Sequence, residues 1–133
     1  MKYLLDSNAV IELLREPEGA LARRARAHDP ADVGLSVIAL HELYFGAFRS
    51  TRQEHNLALV DSLRFEVVDY EPDDAREAGE IRASLAGRGL PIGPYDVLIA
   101  GQARARGLTL VTGNVQEFSR VAGLELEDWS GGV

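Results

Sequence analysis

Four polar residues sit far apart along this chain of 133 residues, each at a point where a β-α alternation would carry it to one cleft: Asp6, Glu42, Asp96 and Asn114. Three are carboxylates. Glu42 and Asp96 interrupt helical stretches that are otherwise apolar or small on the same face. Ile38, Ala39, Phe45 and Gly46 surround Glu42 at the i±3 and i±4 spacings, and Ile99, Ala100 and Ala103 share the face of Asp96. Buried carboxylates cannot all stay ionised side by side without a counter-ion. No lysine or arginine lies within a helical turn of Asp96. A set of oxygen ligands selects Mg²⁺ or Mn²⁺ over zinc. His28, His41 and His55 have no metal-ligand spacing and read as surface or packing residues.

The elements that must position these residues follow from the pattern of apolar runs. Residues 2–5 read as a strand ending at Asp6, and 8–15 as a short helix with Ser7 as N-cap. Pro17 opens a helix to about 28. A strand at 33–35 leads through Ser36 into a helix over 37–49, and a second helix spans about 51–63. A strand at 65–68 precedes a helix from Pro72 to about 86, with 69–74 and 87–94 as connections. Pro94 opens a helix to 106 that is apolar nearly all round until Gln102 and Arg104. Strands at 108–111 and 124–126 close the series, and 130–133 is expected to fray. This alternation gives an α/β fold with a mostly parallel sheet, in which Asp6 and Thr112 stand at the carboxyl ends of strands, where open α/β sheets bind ligands.

Composition narrows the function further. The length suits one domain over residues 1–133, and 46% hydrophobic with 26% charged residues is that of a globular protein. There is no apolar leader and no run long enough to span a membrane, so a cytoplasmic protein is expected. With no cysteine, thiolate chemistry and Cys-ligated zinc are excluded. The net charge of −7 argues against a protein that simply grips a nucleic acid backbone, although bound cations can offset site charge. Lys2 is the only lysine. A phospho-acceptor receiver domain needs a lysine after a late strand, and phosphatases of the Asp-x-Asp type fail at Asn8.

Four segments, in order, resemble the motifs of the PIN-domain ribonucleases: Leu4-Leu5-Asp6-Ser7-Asn8, the Ser36-to-Gly46 run containing Glu42, Gly93-Pro94-Tyr95-Asp96, and Leu110-Val111-Thr112-Gly113-Asn114. Their spacing is similar to that of the VapC branch, the toxins of bacterial type II toxin–antitoxin pairs. The resemblance implies a PIN-like three-layer α/β/α domain with a parallel sheet of about five strands. It also implies a Mg²⁺- or Mn²⁺-dependent endoribonuclease, usually a homodimer, held inactive by a cognate antitoxin. Asp6, Glu42 and Asp96 match the family's acidic residues and would hold the metal. Asn114 stands where the wider fold often has Asp, so a second ion would be held less firmly. Ser7 and Thr112 match supporting polar positions, and Glu117 would add a further carboxylate. Metal-assisted, in-line attack of water on an RNA phosphodiester would leave 5′-phosphate and 3′-hydroxyl ends. Arg23, Arg24, Arg26, Arg82, Arg88 and Arg104 are candidates to guide RNA. The alternative is a protein-interaction module that keeps the fold and has lost catalysis, which Asn114 favours and the three intact carboxylates oppose.

Overall fold

The computed structural model describes residues 1–130. Five parallel strands form one sheet: β1 (Tyr3–Leu5), β2 (Val33–Ser36), β3 (Glu66–Val68), β4 (Thr109–Val111) and β5 (Leu126–Glu127), in the spatial order β3-β2-β1-β4-β5. Successive side chains of a strand point to opposite faces, and in β1 and β4 consecutive residues are both buried: Leu4 with Leu5, Leu110 with Val111. The central strands are therefore covered on both faces, as all-parallel sheets require. The covering helices are α1 (Ser7–Arg15), α2 (Ala20–Arg26), α3 (Val37–Arg49), α4 (Gln53–Asp61), α5 (Pro72–Gly87), α6 (Pro94–Ala105) and α7 (Val115–Phe118). The three-layer α/β/α expectation thus agrees with the structure.

The strand order decides where a ligand can bind. From β1 the chain builds outward through β2 to β3, then crosses back to place β4 on the other side of β1. Connections leave the sheet in opposite senses at β1 and β4, which opens a crevice beyond their carboxyl ends. The Asp6 N–H donates to the Val111 carbonyl at 3.3 Å, so the residue after β1 is drawn against the end of β4.

Helix α6 reaches this crevice because it packs tightly on α5. Gly101 faces Ala78 so closely that an added Cβ would stand 2.6 Å from the Ala78 backbone nitrogen. Gln102, which the sequence pattern placed at the start of a polar side, is fully buried. Its Nε2 donates to the carbonyls of Val68 and Asp69, both at 2.9 Å, tying the end of β3 to α6.

Several boundaries differ from the sequence expectations. Asp6, not Ser7, caps α1: its Oδ1 accepts the Ala9 N–H at 2.8 Å, three residues on. The second helix begins at Ala20 behind Gly19 rather than at Pro17, because the Gly19 N–H closes a turn onto the Glu16 carbonyl at 2.9 Å. It ends at Arg26, and the His28 ring stacks on Trp129 at 4.9 Å as a packing residue. The last strand begins two residues later than expected and ends one later, fixed by Thr112 N–H donating to the Glu127 carbonyl at 3.1 Å. The expected fraying concerns mostly 131–133, outside the described residues; Ser130 is held by its N–H on Asp128 Oδ1 at 2.9 Å.

Candidate active site

Asp6 enters the crevice as the residue that ends β1 and caps α1. Helix capping fixes its carboxylate, and the helix N-terminus favours its charge. The Thr112 hydroxyl, at the end of β4, also donates to it. That same hydroxyl accepts the Asn114 N–H at 2.9 Å, so one buried oxygen orients the carboxylate and the following turn. Even so, burial pushes the Asp6 carboxyl up to about 6, with the Glu42 charge adding to the rise and the Thr112 and Ala9 hydrogen bonds opposing it.

Glu42 comes from the second turn of α3, the helix that Ser36 caps with its Oγ accepting the Ile38 N–H at 3.1 Å. Its Oε1 accepts from the Ser7 hydroxyl at 3.2 Å, so Ser7 acts across the crevice instead of capping α1. Burial raises the Glu42 pKa, and the Ser7 bond offsets part of that. The exposed neighbour His41 turns to the side, its ring 4.9 Å from that of Tyr95.

Asp96 is the third residue of α6, after Gly93 and Pro94. Its carboxyl is also pushed up to about 6, first by burial, then by the charges of Glu117, Glu42 and Asp6. The side chain folds back over Gly93, where a Cβ would lie 2.8 Å from Asp96 Oδ2. Glycine at 93 therefore leaves the volume that this carboxylate occupies.

Glu117 does something the sequence did not suggest. Its Oε1 accepts the Gly93 N–H at 2.8 Å and its Oε2 accepts from the Asn114 side-chain amide. Both oxygens are engaged, so Glu117 ties the start of α6 to the turn before α7. The Asn114 amide nitrogen is committed to that tie. The Gly93 contact joins positions 24 residues apart and leaves no trace in a linear pattern, whereas Asn114 and Glu117 lie three residues apart at the start of α7.

The structure thus brings Asp6, Ser7, Glu42, Asp96, Thr112, Asn114 and Glu117 to one crevice. Among the described residues no salt bridge compensates Asp6, Glu42 or Asp96. Nor do any three Asp, Glu or His side chains among them form a group that could hold a metal ion as they stand. The donors are all oxygen, the chemistry that suits Mg²⁺ or Mn²⁺, and Mg²⁺ keeps several waters and takes only one or two carboxylates. Of the arginines considered for RNA, Arg24 pairs with Glu127, Arg26 with Glu18, Arg104 with Glu77 and Glu80, and Arg88 donates to the Arg120 carbonyl. These four are occupied within the chain.

Known proteins share both the sequence and this architecture. The profile described as PIN domain matches residues 3–124. A tRNA(fMet)-specific endonuclease VapC of Shigella flexneri is 41% identical over 132 residues, covering 98% of this chain and 99% of that protein. Ribonuclease VapC2 of Haemophilus influenzae is 39% identical over 132 residues, covering 97% of this chain and 98% of that one. A crystal structure of DNA-bound VapBC from Salmonella typhimurium superposes with a TM-score of 0.92 at 41% identity, over 97% of this chain and 98% of that one. No helix among the described residues is long and apolar enough to cross a membrane.

Proposed function

The chain belongs to the PIN-domain family and, within it, to the VapC ribonucleases, and from that premise we propose that it is a Mg²⁺- or Mn²⁺-dependent endoribonuclease, the toxin of a type II toxin–antitoxin pair. In this reading it is a single domain that works in the cytoplasm as a homodimer and is held inactive by a cognate antitoxin. Its substrate is tRNA(fMet), the RNA for which the Shigella relative is named specific. The observation that carries the proposal is the buried Asp6 with half-buried Glu42 and Asp96 beside it and no cation of the chain's own to balance them.

Asp6, Glu42 and Asp96 would hold the ion. When bound, it supplies a more acidic water and neutralises charge at the scissile phosphate. The chain's residues do the rest by placement. Thr112 and the Ala9 N–H fix the Asp6 carboxylate, Ser7 fixes Glu42, and Glu117 holds the backbone from which Asp96 projects. No side-chain nucleophile is required. The Asn114–Glu117 contact gives the neutral residue at 114 a structural part, which removes the feature that favoured a silent interaction module.

The test is cleavage of a bulk tRNA preparation by protein freed of antitoxin, with Mg²⁺ or Mn²⁺. Discrete cuts in tRNA(fMet) bearing 5′-phosphate ends, abolished by EDTA, are expected. Cleavage that persists in EDTA overturns the metal-dependent reading.

A further inference from the structure

The connection from α5 to α6 is the piece of chain that aims Asp96. It leaves α5 through Gly89, at φ +68°, with the Gly89 N–H on the Ala86 carbonyl at 3.0 Å and the Leu90 N–H on the Leu85 carbonyl at 2.9 Å. It enters α6 at Pro94. The Asp96 carboxylate lies over Gly93, so a shift of Gly93 carries that carboxylate with it. Among the described residues, every hydrogen bond of 88–93 that does not close a turn of α5 or α6 ends in 117–120. We propose that this short segment is a brace for Asp96, in which Arg120, together with Arg88 and Glu117, is a positioning residue for the metal-binding carboxylate; the proposal rests on the nuclease reading above.

Three contacts make the brace. The Gly93 N–H donates to Glu117 Oε1 at 2.8 Å. Arg120 Nη1 donates to the Pro91 carbonyl at 3.2 Å, and Arg88 Nη2 donates to the Arg120 carbonyl at 2.7 Å. The two arginines therefore cross, each side chain reaching the backbone on the other's side. Pro91 has no N–H of its own, so its carbonyl is the handle by which that residue is held. The partners are carbonyls rather than carboxylates, so what the guanidinium groups supply here is position. A brace also needs a fixed end. Phe118 is fully buried and Val121 is buried beside it, which anchors the segment in the core while Glu117 and Arg120 reach out from it.

Both arginine contacts are exposed, where water competes, and such bonds add little to global stability. Placement of a metal ligand is more sensitive. Groups that orient a ligand from behind typically cost ~10–100-fold in metal affinity or activity when removed. Arg120 acts through the backbone, which puts it at the low end of that range. A brace thus separates two readouts that simple structural support would move together: Tm changes little, while metal affinity and turnover fall.

The experiment uses the full chain, freed of antitoxin. Mn²⁺ affinity is measured by calorimetric titration of the metal-free protein without RNA, and kcat and KM by cleavage of bulk tRNA. Arg120→Met removes the donor and keeps the apolar stem. It is expected to weaken Mn²⁺ binding and to lower kcat about tenfold each, with KM and Tm near wild type. Arg120→Lys can still donate to Pro91 and should recover most of both. Arg88→Met, at an exposed position, should show the same pattern more weakly, and it decides the matter if Arg120→Met fails to fold. Arg26→Met is the control, because Arg26 Nη1 also donates to a proline carbonyl, that of Pro17 at 2.8 Å, outside this connection. Its Mn²⁺ affinity and kcat should stay at wild type. Wild-type Mn²⁺ affinity and kcat in Arg120→Met overturn the proposal while leaving the nuclease standing. A raised KM alone makes Arg120 a contact to RNA, and a lowered Tm alone makes it ordinary support; either overturns the brace. If the wild type binds no Mn²⁺ and cuts no tRNA, the nuclease reading itself fails, and this one with it.

Discussion

Asp74 and Asp6 are equally buried, at 1% and 2% exposure, yet their surroundings differ in kind. Asp74 sits in the first turn of α5, where its Oδ2 accepts the Glu71 N–H at 2.8 Å in a capping box. The Arg106 guanidinium meets the same carboxylate, at 2.8 Å from NH2 and 3.2 Å from Nε. Its charge is balanced by the chain itself. Asp6 has hydrogen bonds, no cation and the charge of Glu42 nearby, and Asp96 has no cation and the charges of Glu117, Glu42 and Asp6 around it. The first arrangement is complete as folded and serves stability. The second leaves a charge imbalance that a proton or a bound cation would relieve, as the proposed metal site requires.

The sharpest way to break this comparison is to neutralise one carboxylate from each region and measure cleavage. Asp96→Asn is expected to lower kcat on the order of 10³-fold, the scale seen when a group stabilising transition-state charge is lost. Asp74→Asn should leave the rate per folded molecule near wild type. Stability should reverse the order. Asp74→Asn leaves the half-exposed Arg106 charge facing a neutral group, a loss of about 1.5 kcal/mol for charge-assisted hydrogen bonds, or roughly 5 °C in Tm. Thermal melts of the metal-free proteins check this. An Asp96→Asn protein that melts far below wild type would count against the idea that its carboxylate is uncompensated.

Titration sharpens the contrast. In the folded protein Asp6 and Asp96 are pushed up to about 6, above their usual value near 3.8. Between those two pH values the folded state binds protons that the unfolded state does not. Stability of the metal-free protein therefore rises as pH falls from 7 through 6 toward 4, as far as these groups are concerned. The stabilisation by Mn²⁺ runs the other way. It needs ionised ligands, so the Mn²⁺-induced rise in Tm seen at pH 7.5 should shrink through pH 6 and vanish by about pH 5. Melting curves at a series of pH values, with and without Mn²⁺, measure both; a Mn²⁺ shift that is flat across this range would place the ion elsewhere.

The contrast also explains what could be read from sequence. Asp6, Glu42 and Asp96 were legible because each breaks an apolar pattern on its own element, and because strand ends in an α/β alternation converge. The Asp74–Arg106 pair was not. Its partners lie on either side of α6, and an aspartate two residues after a proline looks like any first-turn residue. Ser7 and Asp6 are both good N-caps, adjacent in sequence, and only the geometry of Ala9 N–H selects Asp6. Glu117 reads as a spare carboxylate until both its oxygens are seen to be engaged.

The smallest effect tests the site's architecture alone. Asp6→Asn keeps a residue that caps helices about as well as Asp, and its amide oxygen can still accept the Ala9 N–H. What is lost is the charge. In the metal-free protein that loss removes both the cost of burying an anion and its repulsion with Glu42 and Asp96. Tm at pH 7.5 should therefore rise by a few degrees, roughly 1 kcal/mol, where Asp6→Ala would fall by losing the cap. At pH 5, where the wild-type carboxyl is itself mostly protonated, the advantage of Asn should disappear. A variant that is destabilised at pH 7.5 and equally so at pH 5 would show that Asp6 is held for its capping geometry, and that its charge is balanced in the folded chain after all.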